Sequence, residues 1–293
     1  MKYYLTYLLF FFSSICSAQV SFTNDPEKAQ FITTDIDLFW QQFDKIDEVK
    51  NPFDVYLEQG SQGVKDFIPY RIESSKNLLR VVRDKSEDYA AIRSGSYEVA
   101  THIDQMKACY QNLKNLYAEA VFPPAYFVIG AYNSGGTATG NGLIMGVEMQ
   151  QDISRLPYIV AHELIHFNQK YAEEYNTVLT QSIKEGAADL IGELISGQHI
   201  NETAMAYFEA NEEILCKEFV EIIDSKRYRG WLYGSNGKKS GRPNDLGYSI
   251  GYKICKAYYE KQTDSTQAIV DILNISDFKQ FLKDSGYLDK YMK

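Results

Sequence analysis

Two of the chain's four histidines stand four residues apart in one apolar stretch, Val160-Ala161-His162-Glu163-Leu164-Ile165-His166-Phe167. On an α-helix, positions i and i+4 lie one above the other on the same face. Both imidazoles can therefore reach a single ion, and Glu163 is carried near the same side. Leu164, Ile165 and Phe167 supply the apolar back that such a helix needs for packing. Pro157 suits the helix's first turn, where a missing N–H costs nothing.

His162-Glu163-x-x-His166 is the H-E-x-x-H zinc pattern, in which the glutamate is a general base and not a ligand. A catalytic zinc also needs a third protein ligand and an open position for water. The longer metzincin pattern, H-E-x-x-H-x-x-G-x-x-H, would place glycine at position 169 and histidine at position 172, where the chain has Gln169 and Ala172. His102 and His199 sit in no ligand motif. The best candidate is Glu185, which follows His166 after 18 intervening residues on the next expected helix. A competing reading makes Glu185 part of a capping box with Ser182, since Ser182-x-x-Glu185 fits S-x-x-E.

His162-Glu163-x-x-His166 followed by Glu185-Gly186-Ala187-Ala188 resembles the gluzincin metallopeptidases. The spacing is nearest to that of the gluzincin aminopeptidases, whose third ligand sits in a similar N-E-G-x-A context. Thermolysin-like enzymes use one more intervening residue. The resemblance covers about residues 125–197. The N-terminal leader, Asn133-Ser134-Gly135-Gly136-Thr137 and Gly146-Val147-Glu148 are also similar to a group of bacterial predicted zinc-dependent proteases.

That resemblance implies an α+β, mainly α, zincin-like metallopeptidase fold, with a small sheet before the H-E-x-x-H helix and a helical N-terminal region. It implies Zn²⁺ on His162, His166 and Glu185, and Glu163 as the base for a water attacking a peptide carbonyl. Asp189, four residues beyond Glu185, matches an aspartate that supports a ligand histidine in thermolysin-like enzymes; a solvated helix position is the other reading. Residues 135–139, with Gly135, Gly136 and Thr137, match the strand that pairs with an extended substrate, or form an ordinary turn. Gly146-Val147-Glu148-Met149-Gln150 partly resembles the aminopeptidase G-x-M-E-N motif, which makes Glu148 a candidate for holding a substrate amine. For the developing oxyanion the expected donor is Tyr248, with Tyr252 and His199 behind it. A peptide or protein is the implied substrate. The alternative is a catalytically silent, zincin-derived binding or assembly protein of the cell envelope.

The rest of the chain fits an exported protein. Lys2, the apolar run from Leu5 to Phe12 and the small residues Ser17-Ala18 read as a signal peptide over residues 1–18. The run is shorter than the roughly 20 residues of a membrane span. Cys16 lies at a depth that would also suit lipidation, although Ile15 before it is bulky. The expectation is a secreted or periplasmic protein without a transmembrane span in its mature form. A formal charge of −9 argues against nucleic acid as a partner. Cys109, Cys216 and Cys255 show no C-x-x-C spacing and set up no disulfide framework, leaving room for at most one pair in an oxidising compartment.

Residues 19–120 read as a helical N-terminal region. Apolar periodicity predicts helices from Thr34, over 52–59, over 69–82 and over 97–120. Residues 121–293 read as the catalytic domain with a helical C-terminal part. Its expected strands are 126–129 and 143–147, separated by a glycine-rich turn over 133–142, either as a hairpin or as two strands with a mobile loop between them. Helices are expected around the histidines and over 182–194, 202–225, 248–259, 264–273 and 276–285. A long polar loop spans 227–245.

Overall fold

The computed structural model describes residues 22–171, 176–234 and 241–292. The expected leader, including Cys16, lies outside the described residues. Helices dominate, and one small mixed sheet accompanies them, so the fold is α+β and mainly α.

Strand β1 (Phe31–Ile32) precedes six helices: α1 (Thr34–Phe43), α2 (Phe53–Gln59), α3 (Gln62–Phe67), α4 (Ser75–Asp84), α5 (Ser86–Glu98) and α6 (Ile103–Leu116). Strands β2 (Ala125–Val128), β3 (Gly136–Thr139) and β4 (Gly142–Gly146) follow. The sheet order is β1-β2-β4-β3, with β2 parallel to both β1 and β4, and β3 antiparallel to β4. The two expected strands are therefore not a hairpin with each other. The hairpin partner of β4 is β3, inside the glycine-rich stretch whose residues 135–139 are open to two readings in the sequence, a strand edge or a turn; the structure has the strand.

The N-terminal helices buttress this sheet. Phe39 packs at centre distances of 5.0–5.7 Å against Trp40, Phe53, Tyr56 and Tyr89. Beyond β2 the chain leaves the ladder, and its backbone groups need other partners. The Tyr56 hydroxyl accepts from Ile129 N–H at 3.1 Å and donates to Ile129 C=O at 3.0 Å. The Tyr89 hydroxyl donates to Gly130 C=O at 2.6 Å. Two buried phenols from the helical layer thus fix the segment that leads into β3.

Helices α7 (Leu156–Asn168) and α8 (Val178–Ser196) come next, followed by α9 (Glu202–Ala210) and α10 (Glu212–Val220). The last three are α11 (Leu246–Lys261), α12 (Ser265–Leu273) and α13 (Phe278–Ser285). α8 is capped by Thr177, whose side chain and that of Thr180 form a reciprocal capping box. Ser182 is buried inside the helix, so the capping-box reading of Glu185 does not hold. α8 lies between α7 and α11. A methyl group on Gly186 would overlap Tyr252 N and Gly251, and one on Gly251 would overlap Ser182 C=O. Glycine at both positions is what lets α11 cross directly behind Glu185, because overpacking there costs roughly 1–3 kcal/mol or more.

The described cysteines Cys109, Cys216 and Cys255 are free and buried. No helix of the described residues is long and apolar enough to cross a membrane.

Candidate metal centre

α7 and α8 bring His162, His166 and Glu185 together. His162 Nε2 and His166 Nε2 are 3.0 Å apart. Glu185 Oε2 lies 2.9 Å from His166 Nε2 and 3.5 Å from His162 Nε2. His162 and Glu185 are buried and His166 is half-buried.

The outer ring nitrogens decide what those inner atoms carry. His162 Nδ1 lies 2.8 Å from Asp189 Oδ1, a close contact whose angle falls short of an ideal hydrogen bond. Asp189 is itself held by Asn201 Nδ2, which donates to Oδ2 at 2.7 Å. His166 Nδ1 lies 2.9 Å from Gln169 Oε1. The Gln169 amide is oriented because its Nε2 donates to Lys184 C=O at 2.7 Å, which turns Oε1 toward the ring. Both Nδ1 atoms face acceptors, which favours the tautomer that carries the proton there. That tautomer puts a lone pair on each Nε2.

In that tautomer three lone-pair donors converge, an arrangement that repels itself unless a cation, either a proton or a metal ion, lies among them. A tetrahedral zinc with bonds of about 2.0–2.2 Å spaces its ligands about 3.3–3.6 Å apart. The observed separations of 2.9–3.5 Å are close to that spacing. The donor set of two imidazoles and one carboxylate suits zinc. The field agrees: burial disfavours a charge on His162, but Asp189 and Glu185 outweigh burial and hold its pKa well above the usual histidine value. Burial likewise disfavours ionised Glu185, but the charge of His166 and the hydrogen bonds from both histidines hold its carboxyl well below the usual value. A pocket that would hold a proton this tightly also favours a divalent cation.

Asp189 is buried rather than solvated. Gln169 belongs to no ligand pattern, and nothing in the sequence beyond its nearness to His166 marks it.

Glu163 is half-buried on α7 beside the start of β3. A methyl group on Gly136 would sit 2.7 Å from Glu163 Oε1, so only glycine leaves the carboxylate its place. Burial raises the Glu163 carboxyl above its ordinary value. β3 is the edge strand of the sheet, with Gly136 and Thr137 paired to β4 on its inner side. Gly135 is anchored through its C=O, which accepts from Gln150 Nε2 at 2.8 Å and Gly146 N–H at 3.2 Å. Tyr248, near the start of α11, stacks on His162 with 14° between planes and 6.1 Å between centres. Tyr252 points elsewhere, donating to Glu193 Oε2 at 2.7 Å, and its ring packs on His199.

Glu148 faces the interior. It is 2% exposed, with Oε1 accepting from Tyr132 N–H at 3.2 Å and Oε2 without a hydrogen-bond partner. It props the loop before β3 from behind, so its contribution to the site is indirect. Burial pushes its carboxyl from 4.5 up to about 7. The folded chain then binds more protons than the unfolded chain between about pH 4.5 and 7, and stability falls as pH rises through that window. A difference of that size is worth on the order of 3 kcal/mol. Glu148→Gln is expected to remove this component. Its denaturation midpoint should fall less than the wild type's between pH 4.5 and pH 8, and parallel pH profiles would contradict this.

Residues 127–279, just over half of the chain, match the family described as predicted Zn-dependent protease (DUF2268), and the chain belongs to that family. No curated protein and no solved structure matches it. The matched span runs from β2 to α13 and holds His162, His166, Glu185 and Glu163.

Proposed function

We propose that this protein is an exported zinc-dependent peptidase that hydrolyses peptide bonds, with zinc held by His162, His166 and Glu185. The observation that carries this is the convergence of three lone-pair donors beside a glutamate that no ligand role occupies. A bound zinc ion supplies Lewis-acid polarisation of a carbonyl and makes a water acidic near neutral pH.

The chain's own residues do the rest. Glu163 accepts the proton of the attacking water and delivers it to the leaving amine. Gly135, Gly136 and Thr137 offer the outer edge of β3 to an extended peptide, and the missing side chains let its backbone approach. Tyr248, stacked on His162, offers its hydroxyl to the developing oxyanion. Asp189 and Gln169 hold the two imidazoles in their metal-binding tautomer. The leader over residues 1–18 directs the chain out of the cytoplasm.

The test is hydrolysis of a mixed peptide library by purified protein before and after chelation. Cleavage that disappears with chelator and returns with zinc is the expected result. Bound zinc with no cleavage of any peptide would favour the silent binding protein instead.

A further inference from the structure

Tyr233 is strained and reaches the proposed metal site. It is a non-glycine residue in the left-handed region, at φ +59°. Such a conformation is costly for a residue with a side chain and persists only where the surroundings force it. Here they do so at a neck. Trp231 C=O accepts from Gly247 N–H at 2.7 Å, and Gly234 N–H donates to Asp245 Oδ1 at 2.9 Å. Trp231 and Leu232 are buried just before it, with Trp231 edge-on to Phe219. The Tyr233 ring stands edge-on to both Tyr228 and Tyr248.

This neck places the hydroxyl over one turn of α8. Tyr233 Oη lies 2.7 Å from Gln181 Oε1 and 3.2 Å from Glu185 Oε1. Glu185 then has its two oxygens divided: Oε2 faces both histidine Nε2 atoms, and Oε1 faces the phenol.

We infer that Tyr233 is a positioning residue for the metal, whose hydroxyl occupies the second oxygen of Glu185 and restricts that carboxylate to one-oxygen ligation. The inference rests on the His162–His166–Glu185 metal site proposed above. With the hydroxyl in place, Glu185 cannot turn both oxygens to the ion, and the coordination position it would have filled stays open. The phenol has one proton and two acceptors, so Gln181 competes with Glu185 for it.

The experiment uses the full chain, with zinc affinity measured by competition against a chromophoric chelator and the visible spectrum recorded after Co²⁺ substitution. Tyr233→Phe keeps the ring and its edge contacts, and a melting curve reports folding. It is expected to weaken zinc binding by about tenfold to a hundredfold. The visible bands of its cobalt form should lose intensity as the coordination number rises. Gln181→Met leaves Glu185 as the hydroxyl's acceptor, so zinc should bind at least as tightly as in the wild type. Unchanged affinity and spectrum in Tyr233→Phe would overturn the inference, as would equal weakening in Gln181→Met, which would show that the phenol acts by anchoring the loop. In either case, loss of metal in Glu185→Ala would leave the metal site itself standing. Wild-type protein without stoichiometric zinc would overturn both.

Discussion

Glu163→Gln is expected to keep its zinc and lose about 10²–10⁴-fold in peptide hydrolysis, the range over which positioned acid–base groups act. Glu163 sits between the two histidines in sequence, but its carboxylate turns to Gly136 and not into the cluster of converging donors. Glutamine has nearly the same volume, so the packing at Gly136 is preserved. The amide cannot accept a proton from water. The variant should therefore separate binding from chemistry, with unchanged metal content and unchanged melting temperature beside lost turnover. Steady-state kinetics on a cleaved peptide, together with elemental analysis, checks it. Full activity in a zinc-loaded variant would remove Glu163 from the reaction.

Glu185→Ala should have the opposite signature, losing metal and turnover together. Residues that only support a ligand typically matter tenfold to a hundredfold in affinity, so losing a ligand should cost more than about a hundredfold. The loss can be read without substrate. Zinc at about a thousand times its Kd stabilises a folded protein that alone binds it by roughly 4 kcal/mol. Wild-type protein should therefore show a zinc-dependent rise in melting temperature that Glu185→Ala lacks at the same zinc concentration. An equal rise in both proteins would mean that the ion sits elsewhere.

The legible parts of the site were those written at short spacing on one helix. His162 and His166 follow from i and i+4 geometry, Glu185 from its gluzincin-like spacing after His166, and Asp189 from its place one turn beyond Glu185. Gln169 was not legible because it follows the last helical turn of α7, where extended backbone swings its amide back under His166. Tyr233 was hidden by distance and number: it lies 48 residues from Glu185 and is one of 23 tyrosines. What selects it is the closure of a neck, a tertiary event without a local pattern.

The fold divides the same way. Helices with strong apolar stripes, such as α1 and α6, were readable. α5 was missed because Tyr89 is its one fully buried large side chain. The stretch expected to be a single helix over 202–225 breaks at Asn211 into α9 and α10, where the Asn211 side chain donates to Tyr207 C=O at 2.9 Å. β1 has two residues and β3 begins with glycine, so neither carries alternation long enough to read. Both exist because the sheet supplies their partners.

Whether one zinc ion sits on His162, His166 and Glu185 can be read by elemental analysis and zinc-edge X-ray absorption on the purified protein. One zinc per chain is expected, with two imidazole nitrogens and carboxylate oxygen at about 2.0–2.2 Å. Absence of stoichiometric zinc, or a first shell containing sulfur at about 2.3 Å, would contradict it.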